Sequence, residues 1–283
     1  MTSSGQTPEV AIIVPTRNSE ATLRACLESV HAQTIPCTLV VVDNGSTDRT
    51  PLIANELADL FLDIGPERSA QRNAGAAAVT LSIVGFIDSD MVLSPTVAAE
   101  AVAAIKGGAA SVVVPEETVG EGFWASVSAY ERSFYEGSPT IEAPRFFPRG
   151  VFEDVGGFDE AMTGAEDWDL GLRTAEAGPR SRINANIIHD EGHVRYFNTC
   201  SKKAYYAPGV VLFIKKHGIR SVTDMSSRPW LHQPRALARP LGIGLLALKI
   251  GQAIAMMAAM SWTLLGRRLN LPGRPTTRNQ PTP

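Results

Sequence analysis

The stretch TLVVVDNGSTD, Thr38 to Asp48, decides how the rest of the chain reads. Its apolar residues, Leu39 to Val42, follow one another without alternating polar partners. Such a run suits a strand buried on both faces, as in a parallel sheet covered by helices. It leads into Asp43, and Gly45 among short polar side chains permits a tight turn. Upstream, Val10 to Pro15 has the same unbroken apolar character. Between the two runs Leu23, Cys26, Leu27 and Val30 recur at helical spacing, with Ser19 as the expected cap. Downstream, Thr50-Pro51 has the chemistry of a helix start. Leu60 to Ile64 then reads as a third strand, Ser69 to Val79 as a helix rich in small residues, and Ile83 to Ile87 as a strand ending at Asp88. This alternation predicts an α/β fold with a mostly parallel central sheet flanked by helices. Polar residues gather beyond the carboxyl ends of these strands, where ligands bind in open α/β sheets.

The middle is less regular. Ser111 to Val114 reads as a strand, Gly122 to Tyr135 as a helix, and Gly156-Gly157 as a turn. Asp167 to Ala177 reads as a helix stopped by Gly178 and Pro179, and Ile183 to Ile188 as a last strand followed by His189. With 283 residues, 44% hydrophobic and 19% charged, the chain is long and apolar enough for a large core. A net charge of −3 gives no broad attraction for nucleic acid. Cys26, Cys37 and Cys200 are scattered and odd in number, so neither a disulfide framework nor a zinc cage is expected, and free thiols fit a reducing cytoplasm. The polar first nine residues do not resemble a secretory leader.

Five features carry chemistry, and each has a plainer alternative. Asp88-Ser89-Asp90 puts two carboxylates at a strand end, where they hold a hard cation on phosphate oxygens or merely form a solvated turn. The Asp43 to Asp48 loop offers short polar groups to a base or ribose, or closes an Asx-type turn. Arg72, near a helix start, meets phosphate or sits as a surface charge. Glu166-Asp167-Trp168-Asp169 supplies a general base, or simply favours a helix N-terminus. His189, beyond a strand in a carboxylate-rich region, is a metal ligand or a structural histidine.

In this order the motifs resemble the family 2 glycosyltransferases with the GT-A fold. The matching segments are Val14-Pro15-Thr16-Arg17-Asn18, Val42 to Asp48, Arg72-Asn73-x-Gly75, Asp88-x-Asp90, and Gly156-Gly157-Phe158-Asp159 leading to Glu166-Asp167; together they cover roughly Val10 to His193. The resemblance implies that Pro15, Arg17 and Asp43 hold the nucleotide base, that Arg72 lies near the base and diphosphate, and that Asp88 lies near the ribose. It implies Asp90 as the ligand of Mn²⁺ or Mg²⁺, His189 as a further metal or phosphate contact, and Asp167, with Glu166 beside it, as the base that deprotonates the acceptor. The implied activity is metal-dependent transfer from a UDP- or GDP-sugar to an acceptor hydroxyl, by a single displacement that inverts the anomeric centre. The acceptor stays open, with a lipid-linked or cell-surface glycan among its classes. Two rivals remain: Phe86 to Val92 also resembles the nucleophile motif of haloacid-dehalogenase-like phosphatases, and a non-catalytic sugar-nucleotide-binding protein would share the motifs. In the phosphatases that motif sits on the first strand, whereas here two strand–helix units precede it.

The expected layout is a catalytic domain over 1–199, a basic and aromatic extension over 200–239, a hydrophobic helix over 240–266 and a disordered tail over 267–283. Leu241 to Leu265 is long enough to cross a hydrocarbon core, interrupted by Lys249 and Gln252. It crosses a membrane, lies on one, or packs on the domain. Arg235 and Arg239 before it and Arg267 and Arg268 after it give no orientation. Membrane association is the favoured expectation, at the cytoplasmic face.

Overall fold

Val10 to Thr16 forms β1, every residue of it buried. Its side chains alternate between two cores: Val10, Ile12 and Val14 face one cluster, Ala11 and Ile13 the other. Covering both faces is what an unbroken apolar strand requires. The computed structural model describes residues 7–138, 141–225, 230 and 233–268. β2 (Cys37–Asp43) and β3 (Leu60–Asp63) extend the sheet in parallel on one side of β1, and β4 (Ile83–Phe86) pairs parallel on the other. β6 (Ser111–Val113), β8 (Phe146–Pro148) and β9 (Arg180–Arg182) complete a seven-stranded sheet of order β3-β2-β1-β4-β8-β6-β9. β8 runs antiparallel to both its neighbours. The chain leaves β1 outward to β2 and β3 and then returns to β4, which makes the β1/β4 junction the topological switch point.

Helices α1 (Leu23–His31), α2 (Thr50–Leu57), α3 (Arg68–Ala77) and α4 (Val97–Lys106) connect or cover these strands. α1 contributes Leu23, Cys26, Leu27 and Val30 to one core, as their spacing predicts. Ser19 is not its side-chain cap: Thr22 holds that position, and the Ser19 carbonyl accepts the Thr22 and Leu23 N–H groups. On the opposite face Phe86 meets Phe147, Phe152 and Phe158, with ring centroids 4.9–6.1 Å apart. Phe152 comes from α6 (Arg149–Asp154), and Leu170 of α7 (Glu166–Ala175) joins the same core.

A second sheet has the order β5-β10-β7, from β5 (Met91–Leu93), β7 (Glu116–Glu121) and β10 (Ile187–His193). The last strand therefore begins later than the expected Ile183. Residues 180–182 form a separate strand of the main sheet, and β10 pairs antiparallel with β5, so His189 lies inside a strand rather than after one.

The chain divides into two compact units that are not consecutive in sequence. The first holds residues up to Glu117, Glu142–Glu160 and Glu166–Asp190; the second holds Thr118–Ile141, Ala161–Ala165 and the chain from Glu191 onward. The boundary expected at 199 falls within the second unit. That unit contains α5 (Phe123–Arg132), α8 (Tyr196–Met225, with a break at Gly218), α9 (Pro234–Leu237) and α10 (Pro240–Arg268), packed around Val127, Cys200, Trp230, Leu245 and Leu248. Of the tail expected over 267–283, Arg267 and Arg268 instead end α10, and residues 269–283 lie outside the described residues.

Candidate active site

Beyond β1 and β2 the two connecting loops are laced together. Asp43 accepts the Ser46 N–H at 2.7 Å and the Ser46 hydroxyl at 2.5 Å, bonds that close the loop over three residues, with Gly45 between them at φ +61°. Ser46 Oγ in turn accepts the Asn18 N–H at 2.7 Å, and Asn18 Oδ1 accepts the Thr47 N–H at 2.9 Å. Asp43 is buried, which pushes its pKa up against the lowering effect of the Ser46 bonds. Pro15 is buried within β1, and Arg17 sits half-buried just past its end. Beyond β4 the Ser89 hydroxyl donates to Ser19 Oγ at 2.9 Å, so the Asp88-Ser89-Asp90 turn and the segment after β1 meet at the switch point.

Arg72 organises the carboxylates. It projects from α3 and is completely buried, with its guanidinium 5.0 Å from the centre of the Phe158 ring. Nη2 donates to Asp88 Oδ1 at 2.6 Å, and Nη1 to Asp167 Oδ1 at 3.0 Å and Glu166 Oε1 at 3.3 Å. Arg68, one turn earlier, reaches Glu166 at 3.2 Å. A cation this deep is tolerable only because it is paired and hydrogen-bonded. Arg72 therefore touches carboxylates that were expected from the sequence, and its burial overturns the alternative of a surface charge.

The ionic chain continues. Arg145 lies 3.6 Å from Asp88 and donates to Glu116 at 2.8 and 2.5 Å. His189 Nδ1 lies 3.7 Å from Glu116, and its Nε2 lies 3.3 Å from Asp90 Oδ2. Asp90 and His189 are brought together because β10 pairs with β5 in the register His189↔Met91. The other Asp90 oxygen, Oδ1, is buried and accepts no hydrogen bond among the described residues. No ready cage of three His, Cys, Asp or Glu side chains occurs among the described residues.

Two carboxylates are tuned in opposite directions. Burial pushes Asp88 up, but Arg72, Arg145 and Arg68 outweigh it and hold the group far below the usual carboxylate range. Burial also pushes Asp167 up; Arg72 opposes this, while Glu166 and Asp88 add to it, and the net direction is upward. The Asp167 side chain nonetheless keeps 36% exposure. A carboxylate that reaches solvent with a raised pKa has the properties of a general base. Asp169 is different: it is fully buried and bridged by Arg173 one turn on, at 2.6 and 2.8 Å, which makes it a structural partner of its own helix.

The glycines and Asn73 of the motifs explain how α3 meets the acidic segment. A Cβ on Gly75 would stand 2.5 Å from Ile13, so only glycine lets α3 approach the sheet this closely. Asn73 accepts the Phe158 N–H and donates to the Phe158 carbonyl, both at 2.9 Å, which pins the Gly156-Gly157 turn. Gln71 ties the carbonyls of Thr16 and Val42 together at 3.0 and 2.6 Å. Glu116, Arg145 and Arg68 escaped the sequence reading. Their only signals were a Pro-Glu-Glu run after β6 and an arginine before two phenylalanines, neither of which has a spacing to interpret.

The family profile described as glycosyl transferase family 2 matches residues 11–158. The chain is 28% identical to the pre-mycofactocin glycosyltransferase of Mycobacterium tuberculosis over 244 residues, covering 74% of this chain but only 48% of that relative. The chain thus spans about half the length of that relative. The fold is shared with the mannosyltransferase PcManGT of Pyrobaculum calidifontis, solved with GDP-Man and Mn²⁺, at a TM-score of 0.60, 19% identity and coverage of 94% of this chain and 89% of that one. It is shared also with glucosyl-3-phosphoglycerate synthase of Mycobacterium tuberculosis, solved with Mn²⁺ and UDP, at a TM-score of 0.52, 18% identity and coverage of 75% and 81%.

Proposed function

The chain belongs to glycosyl transferase family 2, and from that premise we propose that it moves a sugar from a UDP- or GDP-sugar to an acceptor hydroxyl with inversion. The observation that carries this reading is the convergence of Asp88, Glu166 and Asp167 on the buried Arg72, beside the Asp88-Ser89-Asp90 turn. Neighbours of the same fold bind GDP-Man or UDP, which supports a nucleotide-sugar donor. The donor's base sits against the loops after β1 and β2, near Pro15, Arg17 and Asp43. Its ribose and diphosphate lie toward Asp88 and Asp90.

Asp167 takes the acceptor proton. Arg72 grips its Oδ1, and Oδ2 makes no hydrogen bond to the described residues, so one oxygen is oriented and the other is left to work. Glu166 is held by Arg68 and Arg72 and orients the start of α7. Asp88 stays ionised throughout, because two arginines hold it so. Attack by the deprotonated hydroxyl opposite the departing diphosphate is a single displacement, and a single displacement inverts.

A divalent cation, Mn²⁺ or Mg²⁺, fits Asp90 and His189. The buried Asp90 Oδ1 is an otherwise unsatisfied hard oxygen donor, and donor phosphates would complete the shell. Bound there, the ion would neutralise charge on the leaving nucleoside diphosphate. The acceptor class we favour is a lipid-linked or cell-surface glycan met at the cytoplasmic face of a membrane, in line with the apolar C-terminal helix.

The test is a panel of UDP- and GDP-sugars scored for nucleoside diphosphate release with Mn²⁺, with Mg²⁺ and with EDTA. Release from a single donor that EDTA abolishes supports the proposal. Release indifferent to EDTA removes the metal, and no release from any donor removes the reaction.

A further inference from the structure

α10 is inside out for a helix in water. Every exposed residue between Ile243 and Ala258 is apolar: Ile243, Leu246, Ala247, Ile250, Ala253, Ile254, Met257 and Ala258. Ile243, Ile250, Ile254 and Met257 are each about 60% exposed. The polar residues of the same stretch turn inward. Lys249 meets Glu131 of α5 at 2.5 Å and donates to Gln252 at 3.0 Å, and Gln252 is buried. A surface helix in water carries the opposite arrangement.

We infer that the second unit docks on an anionic lipid surface through this outward face of α10, with the helix lying in the membrane plane and not crossing it. The inference deepens the reading that the acceptor is met at a membrane, and it rests on that reading only for the identity of the surface. Length alone permits a crossing, since Pro240–Ser261 has 22 residues. The neighbours of α10 do not. It lies along α8 and α5. In α8, Lys202-Lys203 and Lys215-Lys216 bracket residues 204–214, about 16 Å of helix at ~1.5 Å per residue, against a hydrocarbon core of roughly 30 Å. A crossing would carry these lysines and the Lys249–Glu131 pair into hydrocarbon, where charged groups are costly. An in-plane helix sinks only its apolar face.

Charge selects the lipid. From residue 191 to 268 the chain carries twelve Lys and Arg against two Asp and Glu, within a protein whose total charge is −3. Lys215, Lys216, Arg235 and Arg239 are exposed. A basic segment beside an apolar helix face is complementary to anionic headgroups. A second copy of the chain is the weaker occupant, because paired helices in water flank their apolar seam with charges and this face has none.

The experiment uses the full chain with vesicles of phosphatidylcholine, with and without about a third of phosphatidylglycerol. Flotation with the mixed vesicles is expected, about tenfold stronger than with phosphatidylcholine alone. The double variant Ile250→Asp/Ile254→Asp should lose at least about tenfold in binding while its circular dichroism and nucleoside diphosphate release in buffer stay unchanged. A milder Ile250→Ser/Ile254→Ser pair serves if the aspartates unfold the unit. Nitroxide labels at 243, 250 and 257, in a Cys37→Ser background, should report one shallow depth of about 5–10 Å. Flotation with label 250 near the bilayer midplane, roughly 15 Å deep, and labels 243 and 257 shallower on opposite sides would overturn the in-plane geometry and leave the membrane reading standing. No flotation overturns both. A dimer that hides the labels in lipid-free buffer and ignores vesicles assigns the face to a second copy and also overturns the inference.

Discussion

Replacing Arg72 by methionine keeps a flexible apolar stem and removes the guanidinium on which three carboxylates converge. Its contacts with Asp88, Asp167 and Glu166 lie at 2.6, 3.0 and 3.3 Å, and the arginine has no exposure at all. Removing one side of a buried ionic cluster typically costs about 3–5 kcal/mol, because the charges left behind stay in a poorly solvated place. Here the lower end applies. Asp88 and Asp167 keep 22% and 36% exposure, and Arg145 remains 3.6 Å from Asp88. The expected loss is therefore about 3 kcal/mol at pH 7.5. Against a slope on the order of 2–3 kcal/mol per molar urea, the unfolding midpoint should fall by roughly 1 M.

The sign of the pH dependence follows from Asp88. The arginines hold its folded pKa below the unfolded value, so its stabilising share is present above the unfolded carboxylate range and is lost as pH falls through the folded value. Without Arg72 the carboxyl titrates higher and escapes its burden by taking a proton. The gap between wild type and Arg72→Met should consequently narrow between pH 7.5 and about 4.5. Urea titrations at both pH values check this. A mutant as stable as wild type at pH 7.5, or a gap that widens in acid, would refute the claim that Arg72 acts by compensating these carboxylates.

Asp167→Asn should lower transfer by about 10²- to 10⁴-fold with donor affinity intact, and the wild-type rate should fall on acidification at a higher pH than an ordinary aspartate would give; turnover and calorimetry on the same protein check both. Asp90→Ala should abolish metal-stimulated release and weaken Mn²⁺ binding, measured by titration calorimetry; unaltered binding would remove Asp90 as a ligand. Asp43→Ala leaves the Ser46 N–H and hydroxyl without their acceptor and should weaken donor binding more than turnover, read as a rise in donor Kd. Asn73→Ala gives up both backbone bonds to Phe158 and should cost about 1–3 kcal/mol by thermal unfolding, with a fall in kcat because the turn before α7 loosens.

The parallel half of the sheet was legible because its inner strands β1, β2 and β4 are buried on both faces and α1 between the first two repeats its apolar residues locally. Val10 to Pro15, Thr38 to Val42 and Ile83 to Ile87 all lie where an unbroken apolar run placed them. The site was legible only as a set of candidates. That Arg72 meets Asp167 depends on a contact across 95 positions, and on Gly75 and Asn73 setting how near α3 comes to the sheet and to the Gly156-Gly157 turn. No periodicity encodes that separation. His189 shows the same limit more sharply. Its neighbourhood follows from a one-residue choice of register between β10 and β5, and shifting that register by one would turn its ring to the other face of the sheet, away from Asp90. The second unit was the least legible part, since it draws α5 and residues 161–165 from the middle of the chain. Its long α8 also passes through Pro208 and Gly209, two residue types disfavoured inside a helix. Gly209 is there for space: a Cβ would stand 2.0 Å from the Thr163 carbonyl, so the residue that reads as a helix breaker is what lets the two segments pack.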